Sequence, residues 1–259
     1  MLEKSLETVV MLGFLGNHKA LGSIGIIVLV SAVLFLVFGA TLAYFWFWPG
    51  DLKTEEMVFS DFTEVEVGWA FEVNITQSSS FNVVISADEK IIDHVEVTQT
   101  GKTLTIGFEQ GINPGVLFRK AEITMPELDK LFLSGATRGT ANGFSNSNTF
   151  VLGLSGASSL EVTNINVGNA EIELSGASTL NARGTSNDLS SLVTGASKLD
   201  LSNFPVNHVD IDVSGASRAT INVEGVLDFD VSGDSTLEYI GEPIMGDINL
   251  SDSSTLKKK

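Results

Sequence analysis

Leu133-Ser-Gly-Ala-Thr137 returns as Leu154-Ser-Gly-Ala-Ser158, Leu174-Ser-Gly-Ala-Ser178, Val193-Thr-Gly-Ala-Ser197, Val213-Ser-Gly-Ala-Ser217, Val231-Ser-Gly-Asp-Ser235 and Leu250-Ser-Asp-Ser-Ser254. The third position falls at Gly135, Gly156, Gly176, Gly195, Gly215, Gly233 and Asp252, at intervals of 21, 20, 19, 20, 18 and 19 residues. A self-similar period near 20 is the signature of a solenoid, in which each repeat buries its apolar face only against its neighbours.

The residues around each phrase decide the kind of solenoid. Ile172 and Leu174 precede one copy and Leu180 and Ala182 follow it, with Glu171, Glu173, Thr179 and Asn181 between them. That alternation has the period of two that marks a strand with one buried face. The same pattern recurs at Ile211, Val213, Ile221 and Val223, and again at Phe229, Val231, Leu237 and Tyr239. Leucine-rich repeats share the period, but their LxxLxL frame and asparagine column are missing. The expected fold is therefore all-β: a parallel β-helix of about 20 residues per coil, each coil two strands flanking a tight turn, stacked at about 4.8 Å. The six glycines at 135, 156, 176, 195, 215 and 233 are expected to supply the positive φ of that turn and the small size its stack demands, with serine hydroxyls bonding to the coil above. A serine nucleophile is a poor reading, because GxSxG is absent and no histidine recurs beside the copies.

Over the whole chain, 32 acidic against 15 basic residues leave a net charge of −17. Residues 1–50 are neutral overall, so all of it belongs to residues 51–259. This argues against a nucleic-acid partner. There is no cysteine, hence no disulfide or thiolate site, and the three histidines, His18, His94 and His208, are scattered. No catalytic residue and no cofactor is expected. From Leu21 to Trp48 there are 28 residues without a charge, about 42 Å as a helix against a hydrocarbon core of about 30 Å. Tyr44 to Trp48 form an aromatic belt, and Pro49-Gly50 a stop. Thr41 and Ala43 offer a signal-peptidase site, but the run is long for a cleaved leader and large aromatics follow at once. The expected organisation is a cytoplasmic segment at 1–20, of which Met1–Leu15 reads as an amphipathic lead-in, a single-pass transmembrane signal anchor at 21–48, a less regular leading β section at 51–130, and the repeat at 131–259. Lys4 and Lys19 before the span give a weak positive-inside bias, which puts the acidic domain outside the cytoplasm.

The strongest chemical pattern is acidic. Asp210 and Asp212, Asp228 and Asp230, and Asp247 with Asn249 occupy equivalent outward positions before three successive turns, so the carboxylates are expected to stack into two ladders. Oxygen ligands for Ca²⁺ are one reading and a solvated, aggregation-resistant face the other; the glycine-rich calcium nonapeptide is absent, which favours the latter, so no metal site is assigned. His208 near Asp210, with Arg218 after the same turn, raises the acid–base reading of a carbohydrate-active β-helix, but fold alone confers no reaction. Lys257 to Lys259 read as edge protection.

Phe59-Ser-Asp-Phe-Thr-Glu-Val-Glu-Val67, Val95-Glu-Val-Thr-Gln-Thr-Gly-Lys-Thr-Leu-Thr-Ile106 and Ala121-Glu-Ile-Thr-Met-Pro-Glu-Leu-Asp-Lys-Leu-Phe-Leu-Ser-Gly-Ala136, followed by the repeats, resemble the head GIN domain family of putative auto-transporter adhesins over about Phe59 to Leu256. The resemblance implies a pectin-lyase-like β-helix with SGAS-type turns, no recognised catalytic residues, and a cell-envelope role inferred as adhesion. The membrane helix departs from the familiar pattern and would tether the domain to its own membrane. The functional expectation is thus a non-enzymatic, membrane-anchored adhesion or scaffold module with a surface glycan or protein as ligand, and with homo-oligomerisation left open. A polysaccharide lyase or glycosidase and an envelope-sensing ectodomain are the alternatives.

Overall fold

In Asn169-Ala-Glu-Ile-Glu-Leu174 every second residue is apolar, and in the computed structural model, which describes residues 50–259, Ala170, Ile172 and Leu174 are buried while Asn169, Glu171 and Glu173 are exposed. The same rule builds the whole of Gly50–Lys259, which is one unit around one continuous core. Its leading part comprises β1 (Leu52–Met57), β2 (Glu64–Val67), β3 (Glu72–Gln77), β4 (Asn82–Asp88), β5 (Val95–Thr100), β6 (Thr103–Phe108) and β7 (Arg119–Met125). There follow β8 (Lys130–Leu133), β9 (Arg138–Asn142), β10 (Thr149–Leu154), β11 (Ser159–Asn166) and β12 (Asn169–Leu174). Three long strands, β13 (Thr179–Val193), β14 (Lys198–Val213) and β15 (Arg218–Val231), each bend from one face to the other; β16 (Thr236–Ile240), β17 (Ile244–Leu250) and β18 (Thr255–Lys258) complete the chain.

Parallel pairing runs through two ladders. On the face before the turns the order is β6, β2, β8, β10, β12, the second half of β13, those of β14 and β15, then β17. On the face after them it is β7, β3, β9, β11, the first halves of β13, β14 and β15, then β16 and β18. Inward residues stack in columns, such as Val67, Leu133, Leu154, Leu174, Val193, Val213 and Val231, which the half-exposed Leu250 ends. Each fully buried side chain of this size removes apolar surface worth about 1.5–3 kcal/mol, and the repetition is what offsets the entropy of ordering a fold made only of neighbour contacts.

The leading section departs from simple parallel coiling. β1 pairs antiparallel with β4, β4 with β7, and β5 with β6. The physical reason is the open end: a parallel coil without a predecessor leaves edge groups and core exposed, and a strand folded back on itself covers both. Ile92–His94 form a single 3-10 turn, and among the described residues no helix is long and apolar enough to cross a membrane. The span expected at 21–48 and the segment before it lie outside the described residues.

Candidate functional site

Each interior turn is fixed by its neighbour. Gly135, Gly156, Gly176, Gly195, Gly215 and Gly233 all have φ between +73° and +80°, a region open to glycine and costly to residues with a Cβ. A Cβ at Gly176 would fall inside contact distance of the Gly156 carbonyl oxygen, and one at Gly233 would lie 2.6 Å from that of Gly215. Those carbonyls are not free to move, because Gly156 O accepts from Ala177 N at 2.7 Å and Gly215 O from Asp234 N at 2.8 Å. The motif hydroxyls divide between bonds within the turn and the expected bonds between coils. Thr137, Ser158 and Ser178 each donate to the carbonyl three residues earlier in their own turn, at 2.8 Å. Others do reach another coil: Ser217 accepts from Ser197 N, Ser235 donates to Gly215 O, Ser254 to Val231 O at 2.8 Å, and Thr194, from the motif's second position, to Leu174 O.

The first coil breaks the column. The register of β2 with β8 and of β3 with β9 aligns Val67-Gly-Trp-Ala-Phe71 with Leu133-Ser-Gly-Ala-Thr137, so Trp69 stands where every interior coil has glycine. Trp69 and Ala70 take φ of 61° and 58°, a conformation costing about 1–2 kcal/mol per non-glycine residue. A buried guanidinium holds it there. Arg119 Nε donates to Trp69 O at 2.5 Å, and Nη1 donates to Leu117 O at 2.8 Å and Gly115 O at 3.2 Å. The same group lies 5.9 Å from the centre of the Phe108 ring, and burial pushes it below its ordinary pKa. The Trp69 side chain points back toward β6. Its Cδ1 and Nε1 would lie 3.2 and 3.4 Å from any Cβ at Gly107, and its ring meets Phe108 edge-on at 6.3 Å. It remains 48% exposed.

Beside it opens a groove of about 560 Å³ across β5, β6, β2, β8, β10 and β12. Trp69 and Phe132 are its exposed rings. Phe132 is an outward residue between the buried Leu131 and Leu133, 38% exposed, and its ring lies across Gly153 so closely that a Cβ there would collide with it. Glu66, Glu96 and Glu173 are the groove's carboxylates, and Thr98, Thr105, Ser134, Ser155 and Ser175 its hydroxyls. A second depression of about 300 Å³ shares Phe132 and Glu173 and continues to Glu171, Asp210 and Asp212. Among the described residues no Lys, Arg or His lines either one. Trp69, Arg119 and Phe132 were not singled out by the sequence.

The acidic residues that were fall as follows. Asp210 pairs in register with Asp228, and Asp212 with Asp230, which faces Asn249. Burial, with Asp210 and Asp230 on either side, raises the Asp212 carboxyl above its ordinary value. The expected stacking of Asp247 over Asp228 does not occur. Leu227 faces Met245 while Phe229 faces Ile248, so Gly246 and Asp247 form a bulge opposite Asp228. The Asp247 amide donates to Asp228 Oδ1 at 2.6 Å, and His208 Nε2 lies 2.8 Å from Oδ2; together these hold Asp228 below the usual carboxylate range, the histidine first. His208 is thus engaged by Asp228 rather than Asp210, and Arg218 begins the first half of β15 on the other ladder, away from both. Among the described residues no three His, Asp or Glu side chains are grouped to hold a metal ion.

Solved structures share this fold. A putative adhesin from Bacteroides fragilis superposes with a TM-score of 0.74 at 19% identity, over 81% of this chain and 97% of that one. A putative adhesin from Parabacteroides merdae gives 0.60 at 18% identity over 81% and 97%, and a putative lipid binding protein from Parabacteroides distasonis 0.62 at 16% over the same shares. At such identities the likeness is one of fold. No curated protein matches the chain. The family model described as putative auto-transporter adhesin, head GIN domain, matches residues 61–243, most of the chain and nearly all of the solenoid. This protein is therefore a member of the head GIN domain family of putative auto-transporter adhesins.

Proposed function

We propose that the chain is a membrane-anchored display module outside the cytoplasm, without a reaction of its own, which adheres to a surface glycan through the groove between Trp69 and Phe132. The uncharged run of residues 21–48 supports the anchor, and family membership supports adhesion. The observation that carries the ligand class is the composition of the groove. Exposed aromatic rings offer flat apolar faces to the CH faces of a pyranose, while carboxylates and hydroxyls at the margin accept and donate to its alcohols. The groove is open and shallow, which suits a polymer crossing it more than a small molecule enclosed by it. Among the described residues no His, Lys or Arg lines it, so a lyase would lack a basic partner for the carboxylates, while a glycosidase, which needs only paired carboxyls, is separated by the assay below. The test is a glycan array probed with the purified chain and with Phe132→Ala. Binding to a defined set of glycans that the variant loses supports the reading. Binding unchanged by Phe132→Ala moves the adhesive surface elsewhere, and release of new reducing ends from any bound glycan would make the protein an enzyme.

A further inference from the structure

The outward column of the face before the turns reads Thr105, Glu66, Phe132, Gly153, Glu173, Leu192, Asp212, Asp230 on successive strands. At about 4.8 Å per rung, Glu66 and Glu173 stand about 14 Å apart, with Phe132 and Gly153 between them, and Asp212 follows about 10 Å beyond Glu173. Glu171 and Asp210 flank this line one column over, and Glu96 closes the end beside Trp69. These six carboxylates have no ion-pair partner among the described residues. The contrast is local: Glu64, two residues from Glu66, is bound by Thr103 and Lys130. The groove thus combines a cavity, two exposed rings and an uncompensated row of negative charge.

We infer that the groove selects glycans bearing protonated amines, a linear polymer of de-acetylated amino sugars laid along the solenoid axis across the strands. This rests on the glycan reading above and adds the charge of the ligand. An uncompensated acidic row attracts cations and repels uronate, sulfate and phosphate polymers. The rings take part in the same recognition, since an ammonium over an aromatic face is held by its quadrupole while the sugar ring stacks. Two features favour a sugar over a lysine-rich peptide. Apart from β5 at one end, which pairs only with β6, the site lies on the face of a sheet whose backbone groups are already paired, so the edge bonding that seats extended peptides is unavailable along the row. Its margin also carries five hydroxyls, Thr98, Thr105, Ser134, Ser155 and Ser175, suited to alcohols.

Trp46, Trp48 and Trp69 are the tryptophans of the chain, so Trp46→Phe with Trp48→Phe leaves Trp69 as the only indole and a reporter in the groove. The full chain with these two changes, in detergent, is titrated with a β-1,4-linked glucosamine hexamer, its fully N-acetylated counterpart and hexalysine, followed by Trp69 fluorescence and calorimetry. The glucosamine hexamer is expected to bind with a change in Trp69 emission, at least tenfold more tightly than the acetylated form, with affinity falling as salt is raised. Glu66→Gln with Glu173→Gln should weaken it at least tenfold at unchanged melting temperature, whereas Glu161→Gln with Glu224→Gln, exposed carboxylates outside the groove, should not. Equal binding of the acetylated hexamer would overturn the amine inference and leave the glycan reading standing. Hexalysine binding as tightly as glucosamine would overturn the choice of a sugar. No binding by any of the three would overturn the inference, with the array deciding separately whether the glycan reading survives.

Discussion

Gly135→Ala and Gly176→Ala put the same methyl group on the same turn at the same φ of 74°, and differ in what stands on the preceding coil. At Gly135 the new Cβ would meet the Trp69 amide nitrogen at 3.3 Å, a contact that a shift of a few tenths of an ångström relieves. Its cost is the left-handed conformation alone, about 1–2 kcal/mol. At Gly176 the Cβ would fall on the Gly156 carbonyl oxygen, which already holds Ala177 N at 2.7 Å, while Gly176 O holds Ala196 N at 2.7 Å on the next coil. Moving either strand to make room strains a bond in a stack with no slack, a further cost of about 1–3 kcal/mol. Gly176→Ala should therefore be destabilised by about 2–5 kcal/mol, and should melt below Gly135→Ala by about 2–4 °C for each kcal/mol of the difference in a domain of this size. The measurement is thermal and urea unfolding of Gly50–Lys259, wild type and both variants, followed by circular dichroism at the β-sheet band. Midpoints that coincide for the two variants would show that the glycine column answers to φ only, and the stacking argument would fail.

Arg119→Met should cost about 3 kcal/mol, by leaving three carbonyls of the Trp69 and Gly115–Leu117 turns without their donor, and should red-shift Trp69 emission; a stable variant with unchanged emission refutes its role as anchor of the strained turn. Ser191 is the polar member of an inward column, between Ile172 and Ile211, and its buried hydroxyl has no partner, so Ser191→Ala should raise stability by about 1 kcal/mol, and a loss in urea unfolding would mean the hydroxyl is bonded. Glu64 and Asp212 should give opposite pH dependences. Thr103, then Lys130, hold Glu64 below its ordinary pKa, so its contribution is present above the ordinary carboxylate range and lost as pH falls through the lowered folded value; Asp212 is raised, so stability is lost as pH rises through its folded value. Glu64→Gln should thus destabilise at neutral pH and Asp212→Asn stabilise there, both effects fading in acid, and two profiles of the same sign would contradict the assignment. Trp69→Gly should raise the melting temperature by relieving the turn while weakening glycan binding, and parallel losses of both would make Trp69 a cap and no more.

How much of this was legible in the sequence depends on whether a feature repeats. The two-strand coil, its period and its turns are written in seven copies, and the chemistry of a stack forces each copy to look like the last. The antiparallel start is not legible in the same way, because Val83 and Ile85, like Leu104 and Ile106, are inward at a spacing of two whether their partners run parallel or antiparallel. The site is less legible still. Val65–Val67 and Phe71–Val73–Ile75 flag two strands, but the turn between them has its glycine at position 68, one residue early, and Trp69 in its place, so it does not match the repeated phrase. Phe132 carried a usable signal, an aromatic residue in an outward slot between Leu131 and Leu133. Arg119 carried none, since only the packing of β7 makes it a buried anchor of a turn 50 residues away. Asp247 was misplaced because a bulge adds a residue without altering the local pattern.

The location of the groove follows from the same constraint that makes the interior monotonous. From Gly156 to Gly233 each turn glycine is demanded by the carbonyl of the coil before it, so none of these coils can put a large side chain into that column. The first coil has no such carbonyl beneath it, since β6 runs under β2 and presents Gly107 there. At the last coil too a non-glycine, Asp252, takes a φ of 58° and accepts from Gly233 N. Chemical variety therefore enters the turn column at the ends of the solenoid. At the first coil it enters as a ring held in a strained turn by a buried arginine, and on the adjoining outward column the next large group, Phe132, is again seated on a glycine, Gly153. Each ring thus depends on a missing Cβ on a neighbouring rung. A methyl at Gly107 or Gly153 would disturb the ring above it without touching the core columns, which makes these two glycines positions where ligand recognition and fold stability can be varied independently.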